Sequence, residues 1–166
     1  MRPIFLMIVG ILFLTVSMHA SAEIGSMSLE GGWTAWTKKD DPFDESKKSI
    51  LNISKDDFYV TCTKLSFPKL LDTSYDTFTY SATIMIKIDN QSPQKLQGRY
   101  STYQEGMALV TDDRWFSFVL PAKIIEELKK GNTLKAAGKF LEQAGWSTTR
   151  TLNLLGFTKA YNKMCP

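Results

Sequence analysis

The sequence predicts a mainly β domain, an antiparallel β-sandwich or barrel-like fold carrying two short helices at about residues 121–130 and 157–164. Three observations predict it. Residues 78–88 alternate strictly, with Phe78, Tyr80, Ala82, Ile84, Ile86 and Ile88 on one face and Thr79, Ser81, Thr83, Met85 and Lys87 on the other, the signature of a strand with one wet face. Turn-forming residues recur every 8 to 12 positions, as in all-β domains. Only two segments switch to helical spacing.

The elements follow in chain order. Trp33–Thr37, Ser49–Ile53 and Phe58–Lys64 read as strands, and Phe58, Val60 and Cys62 share a face that should point inward. The long strand 78–88 ends in the turn Asp89-Asn90-Gln91-Ser92-Pro93, and Leu96, Gly98, Tyr100 and Thr102 suggest its returning hairpin arm. Met107–Val110 and Trp115–Leu120 form a further hairpin about Thr111–Arg114, and Thr133–Phe140 and Trp146–Leu154 a third about Glu142–Gly145. The first helix has Pro121 at its start, Ile124, Ile125 and Leu128 on one face and Gly131 beyond its end. Its Glu126 and Glu127 precede Lys129 and Lys130, an order suited to the helix dipole. In the second, Phe157, Ala160, Tyr161 and Met164 recur at helical spacing. It is short enough to depend on packing.

Ahead of the domain, Met1–Ala22 holds one basic residue, Arg2, the apolar run Ile4–Val16 and the small-residue site Ala20-Ser21-Ala22. This is the layout of a secretory signal cleaved after Ala22. The apolar run has 13 residues, short of the roughly 20 that span a bilayer. Residues 23–166 are then expected as a single domain, with no stable membrane insertion after cleavage and a periplasmic or secreted location. The one histidine, His19, falls inside the leader. Imidazole-based nucleophile activation and histidine-ligated metal are thereby disfavoured in the mature chain.

Export gives meaning to the two cysteines. In an oxidising compartment Cys62 and Cys165 read as a disulfide. It would close a loop of 103 residues, for which the chain-entropy model gives about 4 to 5 kcal/mol at the upper end. A reactive thiol would lack a histidine neighbour to lower its pKa.

Chemistry-bearing motifs are few. Asp40, Asp41 and Asp44 cluster near Pro42-Phe43, while Asp56-Asp57 and Asp112-Asp113 fall in expected turns. A glycosidase needs two acids across a cleft, and adjacent turn acids are more often turn formers. The acidic loops lack the spacing of a calcium loop, so no metal is expected. No phosphate-binding glycine motif occurs, and no cofactor is expected. Trp33, Trp36, Trp115 and Trp146, with Tyr59, Tyr75, Tyr100 and Tyr103, are candidates for contacts, although most aromatics of a sandwich lie in its core. The net charge is +3 over the whole chain, too small to imply nucleic acid.

The order of these motifs resembles a known group. Trp33-Thr34-Ala35-Trp36-Thr37 precedes Asp41-Pro42-Phe43-Asp44-Glu45-Ser46-Lys47-Lys48. A strand ending at Cys62 follows, then Ile86-Lys87-Ile88-Asp89-Asn90, then Leu152-Asn153-Leu154-Leu155-Gly156-Phe157 and a helix ending at Cys165. This is similar to the small periplasmic type VI secretion-associated accessory group and the related invasion-associated locus B group of bacterial exported proteins. The resemblance implies a disulfide-bonded, β-rich exported domain without catalysis that acts through contacts with an envelope or host protein. Thr61 stands where that pattern has an arginine before the cysteine, and Lys87 where it has one before the turn. The expected function is therefore a non-enzymatic envelope interaction or accessory protein, secretion- or virulence-associated. Its candidate partner-binding residues are Asp41, Asp44, Lys87, Arg99 and Tyr100. A glycan or cell-wall hydrolase with a carboxylate pair, and a periplasmic enzyme inhibitor or immunity protein, are the alternatives.

Overall fold

The structure, a computed structural model, describes residues 24–41, 44, 46–69, 79–101, 114–139 and 145–166. The expected leader, the strand 107–110, Asp112-Asp113, Tyr75 and Tyr103 lie outside them.

The described strands are β1 (Ile24–Ser28), β2 (Thr34–Lys39), β3 (Lys48–Lys55), β4 (Phe58–Val60), β5 (Lys64–Lys69), β6 (Thr79–Ile88), β7 (Gln94–Ser101), β8 (Arg114–Val119), β9 (Thr133–Lys139) and β10 (Arg150–Asn153). The helices are α1 (Ala122–Lys130) and α2 (Phe157–Met164), with a 3-10 turn at Glu30–Gly32. The mainly β, antiparallel expectation with two helices holds. The strands form one ten-stranded sheet in the order β1-β2-β3-β4-β5-β8-β7-β6-β9-β10, which is not closed into a barrel.

Alternation builds its two faces. Ile53, Phe58, Val60, Leu65, Phe67, Ala82, Ile84, Ile86, Phe116, Phe118, Leu134 and Leu152 are all buried and form one core. Ile124 and Leu128 of α1 and Phe157, Ala160, Tyr161 and Met164 of α2 complete it, so both helices cover the inner face. Burying a side chain such as Ile84 or Phe116 contributes about 1.5–3 kcal/mol. α2 packs against β3 and the 3-10 turn, linking the early strands to the chain that leaves β10. The Trp33 indole packs 5.4 Å from the Phe157 ring, and its Nε1–H donates to the Leu155 carbonyl just beyond β10.

Two glycines make that contact close. Gly31 and Gly156 have φ of 75° and 79°, the left-handed region that glycine enters without strain. A side chain on Gly31 would overlap the Leu155 carbonyl, and one on Gly156 the Glu30 carbonyl.

Local chemistry explains most boundaries. Asp56 and Asp57, at φ 50° and 64°, form the two-residue turn between Lys55 and Phe58, which pair across the β3–β4 hairpin. Both residues left-handed is the turn whose twist matches paired strands. Asp89 also takes a positive φ of 46°. Its carboxylate accepts from the Asn132 and Thr133 N–H groups at 3.1 and 2.8 Å, tying the β6–β7 turn to the start of β9. The Gly131 N–H donates to the Glu127 carbonyl and closes α1.

Several expectations need correction. The single strand 58–64 is two, broken at Thr61–Thr63, where the Lys64 N–H donates to Thr61 Oγ1. Cys62 therefore leaves the alternation and is exposed instead of pointing inward. It is nonetheless bonded to Cys165, with Cα atoms 5.7 Å apart. β8 pairs with β5 and β7. Residues 146–149 precede β10 without being strand, and β1 adds an edge that the apolar pattern did not signal because all five of its residues are exposed.

Candidate partner-binding face

The outer face begins with the residues between the core positions. On β6 these are Ser81, Thr83, Met85 and Lys87, and on β7 they are Lys95, Gln97, Arg99 and Ser101. Pairing sets Ser81 opposite Arg99, Thr83 opposite Gln97 and Met85 opposite Lys95. Lys87 and Arg99 thus stand on one solvent-facing surface, as the sequence suggested. Arg99 is exposed and Lys87 half-buried.

Tyr100 does not join them. It follows Arg99 and so points the other way, 2% exposed, with its ring 5.1 Å from that of Phe116. It is a core residue, and the same period-two rule that exposes Arg99 buries it.

Asp41 and Asp44 occupy the β2–β3 connection, and β4, β5 and β8 intervene between that hairpin and β7. They do not share a surface with Lys87 and Arg99. Asp44 Oδ1 accepts from the Ser46 hydroxyl and backbone N–H, at 2.6 and 2.9 Å. Those two bonds hold its carboxyl below the usual aspartate value. Lys47 Nζ lies 3.8 Å from Asp41 and 3.6 Å from Asp44, and Asp40 accepts from the Ser49 hydroxyl. The acidic cluster organises a turn. Among the described residues no group of three or more histidine, cysteine or acidic side chains is arranged to hold a metal ion.

Aromatic placement is mixed. Trp33 is fully buried in the core. Trp36 faces outward, its Nε1–H donating to Ser54 Oγ at 3.0 Å. Trp115 also points outward yet is only 5% exposed, with Tyr59 edge-on at 5.0 Å. Trp146 is 48% exposed.

Sequence reasoning missed part of the surface. β9 lies against β6 with Lys87 opposite Lys135, Met85 opposite Ala137 and Thr83 opposite Lys139. Lys135 and Lys139 therefore extend the face that holds Lys87 and Arg99, as does Lys95. The alternation Leu134-Lys135-Ala136-Ala137-Gly138-Lys139 could have signalled their outward aspect. The neighbourhood of β9 and β6 could not be read locally. Among the described residues no helix is long and apolar enough to cross a membrane.

No protein-family model and no curated protein sequence matches the chain. Among solved structures the chain is similar to the crystal structure of invasion associated protein B from Bartonella henselae. The TM-score is 0.47 at 12% identity, covering 84% of this chain and 94% of that one, a distant structural resemblance.

Proposed function

We propose that the chain is an exported, non-enzymatic interaction protein of the bacterial envelope, of an accessory kind associated with secretion or virulence. The observation that carries this reading is the outer face of β6 and β7. There Lys87 and Arg99 project from strands whose other side, Ala82 to Ile88 and Tyr100, is locked in the core. A rigid sheet with a charged, solvent-facing side is suited to docking, because little backbone freedom is lost on association.

Two further features support the reading. The Cys62–Cys165 bridge belongs to an oxidising compartment, in keeping with a periplasmic or secreted product whose leader is removed after Ala22. The described carboxylate pairs form turns, Asp56-Asp57 by backbone conformation and Asp44 by hydrogen bonding. A hydrolase needs its acids facing each other across a substrate.

The test is capture from a native envelope extract, with the wild-type chain compared with Lys87→Glu/Arg99→Glu. Retention by the wild type and loss in the variant are expected. Clearing of peptidoglycan in a zymogram, abolished by an Asp→Asn substitution, would overturn the non-enzymatic reading.

A further inference from the structure

What docks on this face is a further question, and its answer rests on the reading of the face as a docking surface. β6 lies between β7 and β9, so three adjacent strands share one outer surface. Their outward positions carry Lys87, Lys95, Arg99, Lys135 and Lys139 and no acidic side chain. The whole chain has 20 basic and 17 acidic residues, nearly balanced, so strand alternation and pairing, and not composition, segregate these charges.

The arrangement is costly in the free protein. Lys87 sits directly opposite Lys135 on the same face, and like charges so placed destabilise a sheet. None of the five cations forms an ion pair with a described residue; the described pairs join Lys47 to Asp41 and Asp44, and Lys159 to Glu30, or lie along α1. Asp89, at the end of β6, turns its carboxylate onto the Asn132 and Thr133 N–H groups. A bound anion would relieve the lysine pair.

The residues between the cations narrow the class of anion. Ser81, Thr83 and Gln97, with Ser117 of β8 beside Arg99, offer hydroxyl and amide groups that both donate and accept, around the small apolar patch of Met85 and Ala137. Protein interfaces are enriched in aromatics and depleted in lysine and serine at their centres. Single-stranded nucleic acid needs exposed aromatic platforms, whereas Trp115 beside this surface is buried. Lys87 and Lys135 stand about 4.8 Å apart across strands, while Lys95 and Arg99, like Lys135 and Lys139, stand about 13.6 Å apart along one; cations so placed, with hydroxyls beside them, suit a chain that repeats anionic groups and sugar hydroxyls together. Four of the five cations are lysines, which act as flexible point charges without the fixed geometry of a guanidinium. We propose that the outer face of β6, β7 and β9 binds an acidic polysaccharide, with its anionic groups over the Lys87–Lys135 pair and flanked by Lys95, Arg99 and Lys139.

The experiment measures binding of the full disulfide-bonded protein to polygalacturonate and heparin, with dextran, poly-L-glutamate and duplex DNA as comparators. Binding to the two acidic polysaccharides that weakens with added salt, with none to dextran, is expected. Lys87→Glu/Lys135→Glu and Lys95→Glu/Arg99→Glu should each lower affinity about tenfold or more, with the Gln versions intermediate. Lys123→Glu/Lys163→Glu, on the helices, should leave it within about twofold. Unchanged thermal melting certifies that each variant is folded, and the Gln versions serve where a Glu version is not. Equal or tighter binding to poly-L-glutamate or DNA would overturn the polysaccharide assignment while leaving the docking face in place. Absence of polyanion binding, with envelope capture still lost in Lys87→Glu/Arg99→Glu, would do the same. Capture unaffected by that variant would remove the docking face itself.

Discussion

The Trp33 indole N–H donates to the Leu155 carbonyl at 2.9 Å, across 122 positions of sequence. This bond joins the chain entering β2 to the chain leaving β10, toward opposite sides of a sheet whose ladder stays open. Trp33→Phe should keep most of the apolar contact with Phe157 but leave the Leu155 carbonyl without that donor. A loss of about 1–3 kcal/mol is expected, read as a lower urea midpoint with an unchanged slope. Trp33→Ala adds a core cavity and should cost about 3–5 kcal/mol.

The bridge between Cys62 and Cys165 acts on the same helix from its other end. It closes a separation of 103 residues, and the Tyr161 hydroxyl donates to the Cys62 carbonyl at 2.8 Å. Cys62→Ser/Cys165→Ser should lower stability by up to about 4–5 kcal/mol, and loss of the bridge should expose α2 to proteolysis first. Thiol titration of denatured, unreduced wild-type protein should find no free thiol; two would refute the bridge.

Alkaline pH should weaken the α2 attachment. Burial pushes the Tyr161 hydroxyl above the usual tyrosine pKa, partly offset by the Lys129 ammonium and reinforced by Glu126. A raised folded pKa means that the native state holds its proton longer than the unfolded chain does. The contribution is complete below the ordinary tyrosine pKa near 10.0 and falls away as pH rises from there through the raised folded value. Tyr161→Phe should flatten that segment of a stability-versus-pH curve, and an unaltered slope would contradict the assignment.

Lys135→Glu separates stability from binding. Placing an acid opposite Lys87 replaces a like-charge cross-strand pair by an opposite-charge one, worth roughly 0.2–1 kcal/mol. The free protein should melt slightly higher while its affinity for polygalacturonate falls. A variant that loses stability and binding together would show that Lys135 has a structural role.

The Gly31–Gly156 contact predicts a strong local intolerance. Gly156→Ala places a side chain against the Glu30 carbonyl at a φ of 79°, and a loss beyond the roughly 1 kcal/mol of left-handed strain should appear in chemical denaturation. Substitution at Gly145, which has open space around it, supplies the neutral comparison.

Periodicity made much of this legible in advance. The alternation foretold β6 and its buried face from Ala82 to Ile88, although Tyr80, expected on that face, is 40% exposed; the residues of α1 and α2 announced both helices, and the cysteine count left one possible bridge. Where adjacent-residue chemistry interrupts a strand, periodicity misleads. Phe58–Lys64 looks continuous, but Thr61 Oγ1 captures the Lys64 N–H, breaking the strand and exposing Cys62. Tyr100 shows another boundary: its aromatic character suggested a contact, but its parity with Gly98 and Leu96 sends it inward.

By itself, then, the sequence determined the β class, the two helices, the disulfide partners and the outward aspect of Lys87 and Arg99, because period, end signals and a lone cysteine pair are local or combinatorial properties. Only the tertiary structure decided that β9 lies against β6 and that Asp41 and Asp44 stand away from both. The same long-range pairing sets Lys135 opposite Lys87. Strand order depends on contacts between distant segments, and those contacts gathered scattered lysines of a nearly neutral chain into one basic face.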